Sequence, residues 1–194
     1  MFFSGLRDIL LEVKPHGERE EGGFRIASVL VPLVRDVKDI SVVLSTRTER
    51  VPHHKGQVCF PGGSRDEEDT SLVGTALREA REELGILEKD VELLGELPPV
   101  PTMTDFLISP YVGILPGNYP FMCDEYEVEE VFQAPLSIFL QPERYRTMET
   151  FFRGEPHPVY FFDYNEKTIW GATAKILRRL ADLIIDGGLQ ASIQ

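Results

Sequence analysis

The chain has 194 residues, 42% hydrophobic and 27% charged, the make-up of an ordinary globular unit with a sizeable core. Its 32 acids against 20 Lys and Arg leave a net charge of −12, which excludes a phosphate-gripping nucleic-acid binder and a polybasic membrane anchor. No apolar run nears the roughly 20 residues of a spanning helix, and two cysteines, Cys59 and Cys123, make neither a disulfide framework nor a zinc set, so a reduced, cytoplasmic protein is expected.

Residues 1–17 lack a basic stretch followed by an apolar one. Phe2, Leu6, Ile9, Leu10 and Val13 recur near the helical period instead, predicting an amphipathic helix over about 2–14. Residues 25–34 and 40–46 are short, β-branched and apolar, the pattern of buried strands. Residues 56–60 predict another short strand, ended by a Pro61-Gly62-Gly63 turn and a polar loop over 64–69. The clearest helix follows. Asp69, Thr70 or Ser71 can cap it, Gly85 suits a left-handed stop, and Leu72, Val73, Ala76, Leu77, Ala80 and Leu84 share one face. Glu79, Glu82 and Glu83 fall on another face. Strands are predicted over 91–97, 107–115, 129–132, 149–152 and 159–164, and a closing amphipathic helix over about 171–186. With no repeat and no long linker, the pattern is one α/β domain over 1–194, helices covering a sheet.

The acidic excess is concentrated. Residues 64–90 hold nine acids and four bases, and residues 124–130 hold five acids and no base, so these two segments carry ten of the twelve excess charges. On a helix, Glu79 lies one turn from both Glu82 and Glu83, and like charges so spaced repel by roughly 0.3 kcal/mol per pair. A hard, oxygen-seeking divalent cation relieves that repulsion; a solvated charged face is the alternative.

These residues amount to a resemblance. Residues 78–86 (REAREELGI) resemble the second half of the Nudix box, which occupies 63–86 here. The first half departs from the pattern. Asp69 stands where the box has glutamate, and eight residues rather than seven separate it from Arg78, so Asp69 is assigned no metal role. Residues 44–63 (LSTRTERVPHHKGQVCFPGG) are similar to the stretch that marks the coenzyme A pyrophosphatase branch of the Nudix hydrolases, with Thr48 in place of a serine. Residues 127–136 and 168–174 are similar to that branch too, and the likeness covers about 26–185. Phe60, Phe132 and Trp170, within these stretches, suit core positions.

The resemblance implies an α/β/α sandwich around a mixed sheet. It implies Mg2+- or Mn2+-dependent hydrolysis of the pyrophosphate bond of coenzyme A or acyl-coenzyme A, to 3′,5′-ADP and (acyl-)4′-phosphopantetheine. Glu79, Glu82, Glu83 and the Gly63 carbonyl are the implied metal ligands. Glu82, from the box, and Glu127, from the second acidic cluster, are both candidates for the catalytic base, and Arg78 pairs with a box carboxylate and orients it. Arg47, Arg50, His54 and Lys55 offer cations to the phosphates, and Gln57 a donor. The implied partner is a small nucleotide, with no nucleic acid and no membrane, and a homodimer is allowed. Two other readings stand beside this one: a Nudix hydrolase of ADP-ribose or NADH, and a non-catalytic nucleotide sensor. Against the sensor stands the glutamate trio, which a binding module has no use for.

Overall fold

The computed structural model describes residues 1–13, 23–35 and 39–193. At its centre, β1 (Arg25–Arg35) and β7 (Phe106–Leu115) run parallel from the Arg25–Phe106 pair to the Val34–Leu115 pair, within an eight-stranded mixed sheet. β2 (Ile40–Arg47) lies antiparallel to the end of β1, with β3 (Val58–Cys59) beyond β1 on that side and β8 (Val128–Pro135) on the other. β4 (Gly62–Ser64) pairs with Ala27–Val29 of β1, while β5 (Glu92–Glu96) and β6 (Val100–Pro101) edge β7. A second, antiparallel sheet has β10 (Glu155–Tyr164) between β9 (Tyr145–Phe152) and β11 (Lys167–Trp170).

Helices cover both faces of the large sheet, which is why β1 is apolar almost throughout. Leu30 and Val34 pack with Ala76, Ala80 and Leu84 of α2 (Leu72–Leu84). Val31 and Leu33 belong to the opposite cluster, with Leu6 and Leu10 of α1 (Phe2–Glu12) and Ile176, Leu177, Leu180 and Ile184 of α4 (Gly171–Asp186). The short α3 (Leu136–Phe139) adds Phe139, whose ring packs tilted against Phe162 of β10 at 4.7 Å between centroids. The fold is therefore the expected α/β/α sandwich with a mixed sheet.

Several elements differ from the sequence-based expectation. α1 ends at Glu12; Lys14 and the stretch up to Gly17 lie outside the described residues. Gly62 and Gly63 are not a free turn but start β4, because only a residue without Cβ lets this strand approach β1: a Cβ on Gly62 would stand 2.4 Å from the Ser28 carbonyl oxygen. The strand expected over 56–60 is only Val58–Cys59, whereas those expected to begin at 129, 149 and 159 begin at Val128, Tyr145 and Glu155. Phe60 is core and Phe132 half-buried, but Trp170 is 42% exposed. It ends the edge strand β11 and stacks on its cross-strand partner Phe161 outside the core.

Candidate active site

α2 is held at both ends as its sequence suggests. Ser71 caps it by accepting the Gly74 N–H at 3.1 Å, and Gly85 closes it with φ of 68°. Its polar face lies above β4. A Cβ on Gly63 would stand 2.4 Å from Glu79 Oε1, so the glycine backbone and the Glu79 carboxylate share one small volume.

The three glutamates of α2 have unlike surroundings. The Glu82 side chain is half exposed, that of Glu79 is mostly covered, and Glu83 is buried. Glu83 Oε2 accepts the Gly62 N–H at 3.2 Å, and Oε1 accepts from Arg47 Nη1 at 3.1 Å. Burial pushes the Glu83 carboxyl up to about 7, against the pull of Arg47 and the Gly62 N–H, while Glu79 and Glu127 push it further. Glu79 is raised as well, chiefly by burial. Sequence periodicity alone gave no sign that Glu83 would be buried: its cover comes from β2 and β4, remote in the chain.

Arg78 and Asp69 form the frame beside these acids. Asp69 accepts from Arg78 Nε and Nη2, both at 3.0 Å, and from the Thr75 hydroxyl and the Asp66 N–H, both at 2.9 Å. Those hydrogen bonds, Arg78's first, hold the Asp69 carboxyl down at about 2 despite its burial. Arg78 Nη1 then reaches both Glu79 Oε1 at 2.9 Å and Glu82 Oε2 at 3.0 Å. The one-residue-longer loop thus delivers an aspartate that grips the arginine.

The second acidic cluster meets the first. The Met122 N–H donates to the Leu84 carbonyl, the Asp124 N–H to the Glu83 carbonyl, and the Thr48 N–H to the Glu127 carbonyl. Glu127 is thereby held within 3.0 Å of Arg47 Nη2, and Arg47 bridges the two acidic segments. Burial opposes the charge on Arg47, and Glu83, Cys59 and Glu127 more than offset it.

Residues 24–166 match the NUDIX domain family. The chain belongs to the Nudix family. It is 42% identical to the uncharacterized Nudix hydrolase NudL of Citrobacter koseri over 87% of this chain and 88% of that protein. The NudL protein of Salmonella typhimurium is 43% identical over the same shares. Among solved structures, a MutT/nudix family protein of Enterococcus faecalis superposes with a TM-score of 0.57 at 16% identity, covering 89% of this chain and 66% of that one. A Deinococcus radiodurans protein gives 0.53 at 15% identity over 87% and 93%. These likenesses bear on the fold, and the family is that of hydrolases acting on nucleoside diphosphate derivatives.

Nudix hydrolases generally use divalent metal ions, and the acids of this box fit one. They are hard oxygen donors, and Glu79 and Glu83 are raised chiefly by burial, with neighbouring glutamates adding to the rise against the pull of Arg78 and Arg47, so a bound cation would favour their charged forms. Among the described residues no three such side chains are gathered as a ready-made metal site, since Arg78 Nη1 stands between Glu79 and Glu82.

A cavity of about 510 Å³ opens beside this Nudix box, between β3, β6, β10 and the start of α4. Arg47, His54, Gln57 and Gly62 line its near side, and Val58, Phe60, Val100, Ile108, Val159 and Ile176 make it largely apolar. His54 takes a left-handed backbone, φ 58°, and its Nδ1 lies 2.8 Å from Gln57 Oε1. Lys55 is exposed and is not part of this lining, and Arg50 reaches the Glu125 carbonyl. Lys175 and His157, which also line the cavity, carry no signal in the Nudix pattern; only their helical and strand placement brings them there.

Proposed function

We propose that this Nudix hydrolase cleaves the pyrophosphate bond of coenzyme A or acyl-coenzyme A, yielding 3′,5′-ADP and (acyl-)4′-phosphopantetheine. The observation that carries the reading is the 44–63 stretch, similar to the coenzyme A pyrophosphatase branch, whose Arg47, His54, Gln57, Phe60 and Gly62 line a cavity beside the box carboxylates. A cavity of this size suits one half of a dinucleotide-like substrate, the diphosphate lying toward Arg47 and Gly62.

Glu79, Glu82, Glu83 and the Gly63 carbonyl would hold Mg2+ or Mn2+, which supplies charge neutralisation to the diphosphate and acidity to the attacking water. The chain's own residues supply position and proton transfer. Water adds to one phosphorus, the bridging P–O bond breaks, and the water proton passes to a carboxylate, Glu82 or Glu127. Glu127 has an exposed edge and a guanidinium neighbour, and Glu82 a half-exposed carboxylate beside Arg78. Arg78, clamped by Asp69, positions Glu79 and Glu82. Arg47 is shared between Glu83 and Glu127 and turns its charge to the phosphates, with His54 and Gln57 following along the cavity wall, while Lys55 stands exposed outside that lining.

The test is product chemistry. Coenzyme A with Mg2+ or Mn2+ gives 3′,5′-ADP and 4′-phosphopantetheine in equal amounts, separated by ion-pair chromatography, and excess EDTA stops the reaction. Intact coenzyme A after prolonged incubation with either metal overturns the reading.

A further inference from the structure

The cavity holds a positive charge that no carboxylate answers. Lys175, on the first turn and a half of α4, lines it and is half-buried. Among the described residues its hydrogen-bond partner is His157 of β10, with Nζ 3.3 Å from Nε2, and it has no ion pair. Burial and neighbouring Arg179 both push Lys175 down, and burial and Lys175 push His157 down, as expected of a cation and an imidazole sharing an apolar wall. The charged lysine donates, and the neutral ring accepts at Nε2. The cavity they line also includes Val100, Val159 and Ile176, and no aspartate or glutamate among the described residues is part of its lining.

Burying an ammonium among aliphatic side chains costs stability unless an anion arrives with the ligand. Arg47 and Gly62 line the same cavity and adjoin the box carboxylates, where the proposed function puts the diphosphate. A second cation needs a second anion, carried on the organic part of the same substrate. We infer that the cavity takes the nucleoside half of the substrate and that Lys175, steadied by His157, binds a phosphate on its ribose. The inference rests on the coenzyme A reading, because of that molecule's two halves only the nucleoside one carries such a group. Phe60 and Phe106, also in the lining, offer apolar surface to the base. Lys175 is thus a specificity residue, remote from the bond that breaks.

Binding of the nucleotide products separates this inference from the reading beneath it, since no turnover is needed. Calorimetry with 3′,5′-ADP and with 5′-AMP, in Mg2+, compares ligands differing by one phosphate. Wild-type protein binds 3′,5′-ADP about ten- to hundredfold more tightly than 5′-AMP, the value of a charge-assisted contact. In Lys175→Met that ratio falls to near one, and Lys175→Arg restores part of it. The ratio does not depend on how much protein is correctly folded. Equal binding of the two nucleotides by wild type overturns the inference, as does a Lys175→Met protein that keeps the wild-type ratio or weakens both ligands alike. Failure of coenzyme A hydrolysis with the ratio intact overturns the substrate reading alone.

Discussion

Replacing Asp69 by asparagine tests the frame that holds the site. Asp69 is the buried anchor of Arg78, its side chain only 7% exposed, gripping the guanidinium through two oxygens. Its carboxyl is held at about 2 against an ordinary 3.8, so the folded state favours its charged form. At neutral pH that preference is worth about 2 kcal/mol, since one pH unit corresponds to roughly 1.4 kcal/mol. A folded-state pKa below the unfolded one gives stability that is complete above about pH 4 and fades as pH falls toward 2. Asp69→Asn removes the charge and turns amide hydrogens toward a cation, so it melts about 5–10 °C lower at pH 7. Toward pH 2.5 the wild type loses this advantage and the two curves converge. Calorimetric melting from pH 7 to 2.5 measures the gap, with the difference between proteins cancelling the other carboxylates. Arg78 is freed in the variant, so kcat also falls while the fold persists. Parallel melting curves, or a variant as stable as wild type at pH 7, refute the reasoning.

Three further changes bear on the same architecture. Glu83→Gln keeps shape and its contact with the Gly62 N–H, so melting stays within about 4 °C, while turnover falls by more than the roughly 100-fold typical of losing an outer partner of a metal; near-normal rates in saturating Mg2+ contradict the ligand role. Gly62→Ala forces a Cβ to 2.4 Å from the Ser28 carbonyl, backbone that cannot step aside. Urea denaturation then shows a loss of about 1–3 kcal/mol or more, and an unchanged midpoint contradicts the close approach of β4. Tyr119→Phe leaves the Leu87 N–H without the hydroxyl that accepts it at 2.9 Å and frees Asp90 from its 3.0 Å donor, a loss of about 1–2 kcal/mol in the same assay.

What could be read from residues alone was whatever depends on near neighbours. α2 declared itself by the cap candidates Asp69, Thr70 and Ser71, by Gly85 and by a 3.6-residue apolar face; of the three candidates Ser71 is the cap, and Leu72, Ala76, Ala80 and Leu84 of that face are buried. The long strands β1, β2 and β7 showed as runs of β-branched and aliphatic residues because both faces are covered. β4 was invisible: two glycines give no side-chain pattern, and only the proximity of β1 makes them a strand. The same holds for the site. The glutamates stood out by spacing, but the burial of Glu83 depends on Arg47 and Gly62, distant in sequence and adjacent in space. Glu127 was reachable as an acid in a cluster, whereas its link to Arg47 needed the loop anchored on Glu83 and Leu84. Lys175 and His157 carry no local signature, since Lys175 is one of three bases, with Arg178 and Arg179, on an edge of the closing helix, and only the fold brings His157 to it.

The central claim is the substrate, and direct competition decides it. Coenzyme A, ADP-ribose and NADH are mixed at equal concentration with the protein and Mg2+, and each product is followed by chromatography in one vessel. With coenzyme A as the substrate, 3′,5′-ADP and 4′-phosphopantetheine accumulate first, by about tenfold or more in kcat/KM, the scale of one well-placed charged contact. AMP and ribose 5-phosphate from ADP-ribose appearing ahead of them contradicts it.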